Sequence, residues 1–441
     1  MRRTLTCGLI ALVVTTIAAH AAPVSRTLLD NGLTVLAVQS NHIEVAGIAV
    51  VIEASGVHET DETLGSRALI QQMISISSHN AVSEDLDPIS GAIRHGTTGI
   101  AVNTNWDFVE GTFTVAVEEL DSGLALVSNE IFEVELTQER LDQARELVQR
   151  SIDAAAQSPV QSTFDLFRQA LYGDSPMARP QQGTAESLAD ITLEDLQEFH
   201  DRLYVPANAW VAVVSPLPVE DAAAAVRRVL GALDASPPPD APEMTGLPDG
   251  SNVEVGDSAD LVQASLAVGV PLPSYGDPDF VAAEVIAALL EGRGGRLRRD
   301  LGLLQGLGLS LPTRLLEEHY PISVLGVPPA HHPYLAVHVL AGPRSIERAR
   351  VGVLRHLMAL RSGSVTDAEL ARAKSRVINA HRLSSQNPGD GALYLARRAL
   401  FGLEGGDEAV AAAEAVTAED LTAVATEYFD RHAIGVQMPG T

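Results

Sequence analysis

Two stretches of this 441-residue chain share one pattern, "ITLEDLQEFHDRLYVPANAWVAVV" (191–214) and "VTAEDLTAVATEYFDRHAIGVQM" (416–438). Each has a threonine before a Glu-Asp-Leu turn, then an amphipathic helix, then a short β-rich segment. Thr192 and Thr417 are the predicted helix N-caps, each followed three residues later by the aspartate of a capping box. The two threonines lie 225 residues apart, about half the chain. The sequence therefore predicts two homologous halves.

A proline-rich segment separates these halves. The stretch "ASPPPDAPEMTGLPDGS" (235–251) holds five prolines and has no apolar periodicity, so it predicts a linker. The predicted organisation is a signal peptide at 1–21, an N-terminal domain at 22–234, the linker at 235–251 and a C-terminal domain at 252–441.

Hydrophobic periodicity predicts alternating strands and helices in both halves. In the first half, strands are predicted at 32–39 and 45–56, two more within 96–117, and helices from about 117 to 173. In the second half, strands are predicted at 261–272, 321–329 and 334–342, with a helix at 278–292 and three helices from about 344 to 403. We expect an α+β fold in which each domain layers an antiparallel sheet with helices.

The N-terminus has the features of an export signal. Arg2 and Arg3 precede a short apolar run, "LTCGLIALVVTTIAA" (5–19), and "AHA" (19–21) fits a small-x-small cleavage site. A membrane anchor is the alternative, but the run is short for a span. We expect an exported protein without a stable membrane anchor, in the periplasm.

Composition excludes several function classes. Cys7 is the only cysteine, so a mature chain has no disulfide, thiol nucleophile or cysteine metal site. The chain carries a net charge of −27, and loss of two signal-peptide arginines makes it −29. Such a chain repels nucleic acid, so we expect no nucleic-acid partner.

One predicted helix, "GSRALIQQM" (65–73), has a notable polar face. Ala68, Gln71 and Gln72 are spaced i, i+3 and i+4 and therefore share that face. This spacing is the one at which a helix presents two metal ligands and a catalytic carboxylate. Here the positions hold a methyl group and two neutral amides.

The order of these segments resembles the pitrilysin/insulinase family of zinc peptidases, in its two-domain bacterial type similar to mitochondrial processing peptidase subunits. The resemblance runs over 27–439 and is carried by four blocks, "LDNGLTVLAVQS" (29–40), 171–214, "VTDAELARAKSRV" (365–377) and 415–429. It implies two homologous α+β domains that pair with another such chain to enclose a chamber.

The resemblance also implies where a zinc site would lie. The family carries H-x-x-E-H on the first-domain helix, with two His ligands and a Glu general base, and a further Glu ligand on a later helix. Ala68, Gln71 and Gln72 stand at the three motif positions, framed by Gly65 and Met73. Alignment on Ile152 and Pro159 puts the last ligand at Ser151, and a slip of one residue puts it at Arg150.

These residues predict that the family's zinc is absent and that no cofactor replaces it. Alanine has no donor atom, and an amide is a poor zinc ligand that does not act as a base near neutral pH. A second family signature, an Arg and a Tyr that reach the substrate, corresponds here to Gly302 and Leu309. No catalytic residue is therefore predicted, and a direct contribution to a partner's active site is unsupported.

Histidine and arginine clusters offered weaker candidates. His331, His332 and His338 are interpreted as surface histidines in preference to a metal site, and His58 as structural. The arginines of "EGRGGRLRRD" (291–300) are interpreted as a solvated turn, with contact to a partner or a peptide carboxylate as the alternative.

The leading hypothesis is an exported, non-catalytic subunit that pairs with a zinc-bearing homologue, or with itself, and helps to hold a peptide. The alternative is a stand-alone peptide-binding or scaffold protein. An active metalloendopeptidase with rearranged ligands is the least favoured hypothesis.

Overall fold

The computed structural model describes most of the chain between residues 24 and 440. The described ranges are 24–41, 44–85, 100–240, 246–258, 261–291, 295–297, 332–384, 386–403 and 405–440. The signal peptide, the strand at 321–329, His331, Gly302, Leu309 and three of the arginines of 291–300 lie outside these ranges. Those predictions therefore stay predictions.

The first sheet has six strands in the order β1-β2-β6-β3-β5-β4. Its strands are β1 Ser25–Leu28, β2 Thr34–Gln39, β3 Val45–Ile52, β4 Ala101–Thr104, β5 Val109–Ala116 and β6 Ala209–Ser215. Strand β6 closes the half by inserting between β2 and β3, parallel to β2 and antiparallel to β3. The sheet is therefore mixed, and the antiparallel expectation fails in it at the β2–β6 pair.

The described part of the second sheet repeats this arrangement in the order β7-β10-β8-β9. Its strands are β7 Asn252–Ser258, β8 Ala264–Pro271, β9 Tyr334–Ala341 and β10 Ala433–Pro439. The last strand again inserts, parallel to β7 and antiparallel to β8. The internal repeat seen in the sequence is thus a repeat of topology.

The helices follow the predicted plan closely. In the first half they are α1 Ser66–Asp85, α2 Leu120–Val127, α3 Gln138–Ala156, α4 Pro159–Tyr172, α5 Ala185–Asp190, α6 Leu193–Leu203 and α7 Val219–Val229. In the second half they are α8 Phe280–Leu290, α9 Ile346–Leu360, α10 Asp367–Leu383, α11 Pro388–Leu400, α12 Gly406–Ala415 and α13 Ala418–Tyr428. Thr192 and Thr417 cap α6 and α13 in full capping boxes, as predicted. No helix in the described ranges is long and apolar enough to cross a membrane.

Two helices pack on the sheet of the opposite half. Helix α4 belongs to the first half but covers β7, β8 and β10, and α11 of the second half covers β3, β5 and β6. Glycines in the sheets allow this close approach. A Cβ at Gly47 would lie 2.1 Å from the Pro388 carbonyl carbon, and one at Gly435 would lie 2.4 Å from the Phe167 nitrogen. Each half is therefore completed by a helix of the other, which periodicity alone did not reveal.

Apolar packing and one ion pair hold the exchanged helices. Phe164 and Phe167 of α4 pack with Ala267 and Tyr334 of the second sheet. Across the first sheet, Arg397 of α11 donates through Nε and Nη2 to the buried Glu110 carboxylate at 2.6 and 2.5 Å. The bidentate geometry and the burial of Glu110 make this contact stronger than a surface ion pair.

Candidate functional site

The N-terminus of α1 is fixed by a buried glutamate. The Glu59 side chain accepts hydrogen bonds from the backbone nitrogens of Gly65, at 3.2 Å, and Arg67, at 2.9 Å. Its other oxygen lies 3.4 Å from Arg67 Nε, and both side chains are 1% exposed. Burial raises the pKa of Glu59, and the Arg67 charge opposes that rise. This pair orients the first turn of α1, from which Ala68, Gln71 and Gln72 follow.

Gly65 turns the chain into α1 with a φ of +104°, a value that favours glycine. A Cβ here would also lie 2.7 Å from Leu188 Cδ2. Met73 is fully buried in the first core, on the opposite face of α1 from the polar positions. The two residues that frame the motif are thus structural.

The degenerate positions come together in space. Ala68, Gln71 and Gln72 of α1 and Ser151 of α3 line one cavity of about 100 Å³. The remaining lining residues are Thr104, Val148, Gln181 and Gln182. The alignment that placed the last family ligand at Ser151 is consistent with this geometry. Ser151 lies on the exposed side of α3, so the cavity opens to the surface there.

Gln71 is bound to strand β4 by both ends of its amide. Its Nε2 donates to the Val102 carbonyl at 3.0 Å, and its Oε1 accepts from Thr104 Oγ1 at 2.7 Å. A glutamate at this position would be ionised at neutral pH and could not donate a hydrogen bond to the Val102 carbonyl. The position of the family's general base therefore holds a structural link between helix and sheet.

Ser151 also has an uncharged hydrogen-bond partner. Gln182 Nε2 donates to Ser151 Oγ at 2.8 Å, which joins α3 to the loop before α5. Neither group has the negative charge or the imidazole nitrogen that zinc selects in proteins. The donor set at this site does not fit zinc, and no catalytic step through a metal is derived from it. Across the described residues, no group of three or more His, Cys, Asp or Glu side chains is placed to hold a metal ion.

Four residues of this cavity were missed by sequence reasoning, Thr104, Val148, Gln181 and Gln182. Val148 lies one turn before Ser151 on α3, and the other three come from a strand and a loop that only the fold brings beside α1. A second Gln-Gln pair in the family-like block 171–214 was the one local signal.

The weaker candidates have structural roles. His338 is 5% exposed and accepts or donates a 2.8 Å hydrogen bond with Ser265 Oγ, so its surface interpretation was wrong. His58 Nδ1 completes a capping box with the Ser55 nitrogen, in keeping with the structural interpretation. Arg296 is buried and pairs with Glu369, so the solvated-turn interpretation fails for this arginine.

The fold and the site together define a peptidase-like chain of two similar halves. At the positions where a zinc site would lie, it has no side chain suited to bind zinc. Two family models match it, "Insulinase (Peptidase family M16)" over residues 34–185 and "Peptidase M16 inactive domain" over 190–377. The chain belongs to the pitrilysin/insulinase family, peptidase family M16. The resemblance read from the sequence is confirmed.

Curated relatives and solved structures agree with this assignment. A "Probable mitochondrial-processing peptidase subunit beta" of Arabidopsis thaliana is 22% identical over 367 residues, which cover 81% of this chain and 67% of that protein. The uncharacterized zinc protease YmxG of Bacillus subtilis is 21% identical and covers 82% and 85%. A protease from Helicobacter pylori superposes with a TM-score of 0.80 at 19% identity, over 95% of this chain and 100% of that one. An M16 inactive-domain structure from Pseudomonas fluorescens gives 0.78 at 17% identity, over 95% and 98%. These structural likenesses show the fold.

Proposed function

We propose that this chain is an exported, non-catalytic member of the M16 family that pairs with a zinc-bearing homologue. In the pair it completes the peptide chamber and helps to hold the peptide, while the homologue supplies the metal chemistry. The observation that carries the proposal is the set of four side chains at the expected ligand and base positions, Ala68, Gln71, Gln72 and Ser151.

The chemistry of these positions supports a role without catalysis. Gln71 is engaged by β4 at both ends, so its amide is held away from any reacting group. Hydrolysis of a peptide bond needs an activated water, which the family obtains from zinc and a general base. The cavity residues provide neither, whereas the described residues have the fold of the family.

The family context supports a paired role. The Arabidopsis relative, and a second one from Dictyostelium discoideum, are described as beta subunits of a mitochondrial processing peptidase, so each is one part of a larger assembly. A chain that keeps the fold without the ligands fits the position of the complementary subunit. Function does not follow from fold alone, so the pairing needs a direct test.

The test is an affinity pull-down of the tagged full-length chain from the native exported fraction, with mass spectrometry of the recovered proteins. We expect a homologue with an intact H-x-x-E-H motif in stoichiometric amount. The recovered pair should cleave peptides in a chelator-sensitive way, and the tagged chain alone should not. An untagged strain is the control for unspecific recovery.

Recovery of the chain alone would contradict the proposal and favour the stand-alone binding or scaffold role. Absence of the chain from the exported fraction would contradict its export separately. An immunoblot of the exported and cellular fractions tests export before the pull-down tests the pairing.

A further inference from the structure

The cavity beside α1 has hydrogen-bonding capacity that the chain itself does not use. The side-chain amides of Gln72 and Gln181 have no hydrogen-bond partner among the residues that the structure describes. Gln182 donates through Nε2 to Ser151, so its Oε1 stays available as an acceptor. Ser151 accepts that bond, so its hydroxyl proton stays available for donation. Three amide oxygens, two amide nitrogens and one hydroxyl therefore line the same small space.

These groups select a neutral ligand. None of the eight lining residues carries a charge, so a carboxylate or an ammonium group would enter without a counter-charge. Burying an unpaired charge is costly, whereas a neutral group with matched hydrogen bonds is tolerated. The mixture of donors and acceptors fits a group that both donates and accepts.

The size of the cavity limits the ligand further. Its volume of about 100 Å³ is well below the ~300 Å³ at which pockets for drug-sized molecules and cofactors begin. A cavity of this size has room for the end of a short side chain. A cofactor or a folded segment is too large, and a terminal side-chain group fits.

We propose that this cavity binds the carboxamide end of an asparagine or glutamine side chain of a bound peptide. A primary carboxamide has two N–H donors for the glutamine oxygens and one acceptor oxygen for the amide nitrogens or the Ser151 hydroxyl. The cavity that corresponds to the family's zinc site would thus bind a side-chain amide in this chain. The inference rests on the peptide-holding part of the proposed function.

Propionamide is the probe, since it presents the carboxamide on a two-carbon stem without a peptide backbone. Titration of the purified full-length chain, followed by ligand-observed NMR, should give saturable binding with a Kd of about 1–10 mM, as befits so small a ligand. Propionate, which has the same shape but a charge, should bind at least about tenfold more weakly.

Variants of the lining residues test whether propionamide binds in this cavity. Gln72→Leu and Gln181→Leu remove unused amides from the cavity and should each weaken propionamide binding about tenfold. Gln149→Leu is the matched control, because Gln149 is an α3 glutamine that donates to Asp153 on the exposed surface. It should leave the Kd unchanged.

Equal binding of propionate, no saturable binding, or equal loss in the Gln149 variant would each overturn the proposal. Circular dichroism of the variants distinguishes a lost site from a lost fold. The titration uses this chain alone, so its failure leaves the pull-down of a zinc-bearing homologue unaffected. A chain that binds propionamide but recovers no homologue would instead contradict the pairing.

Discussion

At the scale of single residues, two positions that correspond to the family's metal site, Gln71 and Ser151, have structural roles. Gln71 joins α1 to β4, and Gln182 joins the loop before α5 to Ser151 of α3. Each link is a neutral hydrogen bond, which is cheaper to bury than a charged group. Together these bonds hold α1 beside the sheet and α3 beside the loop.

Restoring the family's general base should destabilise the protein. In Gln71→Glu, the new carboxylate cannot donate a hydrogen bond to the Val102 carbonyl, and it places a negative charge beside that oxygen. We expect the free energy of unfolding to fall by about 1–3 kcal/mol in urea denaturation. Gln72→Met is the control, since Gln72 has no such partner in the described chain and methionine brings no charge into the cavity, and it should change little. Equal losses in both variants would contradict the link.

A buried histidine should make the protein sensitive to acid. Burial lowers the pKa of His338 from 6.5 to about 4. Between these values the unfolded chain binds a proton that the folded chain does not, so stability falls as the pH falls from 6.5 to 4. His338→Gln should remove up to about 3 kcal/mol of the stability lost between pH 6.5 and 4, measured by denaturation at several pH values. An unchanged slope would show that other groups control acid unfolding.

The content of this site was only partly predictable from the sequence. The i, i+3, i+4 spacing placed Ala68, Gln71 and Gln72 on one face, because helix geometry fixes it. The link from Gln71 to Thr104 joins residues 33 positions apart, and local patterns carry no information about such pairs. The burial of His338 likewise depends on α4, which packs there from the other half.

At the scale of elements, the exchanged helices decide how the halves meet. Both α4 and α11 lie on a sheet of the opposite half, where glycines let helix backbone and strand backbone approach. The helix boundaries were predictable from caps such as Thr192 and Thr417. The exchange was not, because an amphipathic helix does not specify which sheet its apolar face covers. The parallel β2–β6 pair escaped prediction for the same reason, since strand order is a tertiary property.

A methyl group at the first of these glycines should displace α11. In Gly47→Ala the new Cβ would meet the Pro388 backbone at 2.1 Å, so helix or strand must shift. We expect a loss of at least about 1–3 kcal/mol in the free energy of unfolding. Gly342→Ala has no atom within 4 Å of its Cβ and serves as the control. A stable Gly47→Ala protein would contradict the close seating of α11.

At the scale of the whole molecule, the two halves are interlocked. The linker at 235–251 stays a prediction, whereas α4 and α11 each pack on the sheet of the opposite half. The buried Glu110–Arg397 pair adds a polar contact between the first sheet and the second half. Such a chain should behave as one cooperative unit.

Separated halves should therefore not fold alone. Fragments 24–234 and 246–441 each lose the helix that covers one face of their sheet, which exposes apolar surface such as Phe164 and Phe167. We expect neither fragment to show a cooperative thermal transition, and their co-expression to restore one. Two fragments with sharp transitions of their own would contradict the interlocked arrangement.

The most direct test of the central claim is the zinc content of the purified full-length chain, measured together with chelator-sensitive peptide cleavage. Ala68, Gln71, Gln72 and Ser151 provide no zinc ligand set, so we expect zinc far below one ion per chain and no cleavage that a chelator abolishes. One zinc ion per chain, with cleavage lost on chelation and regained on zinc addition, would contradict the account.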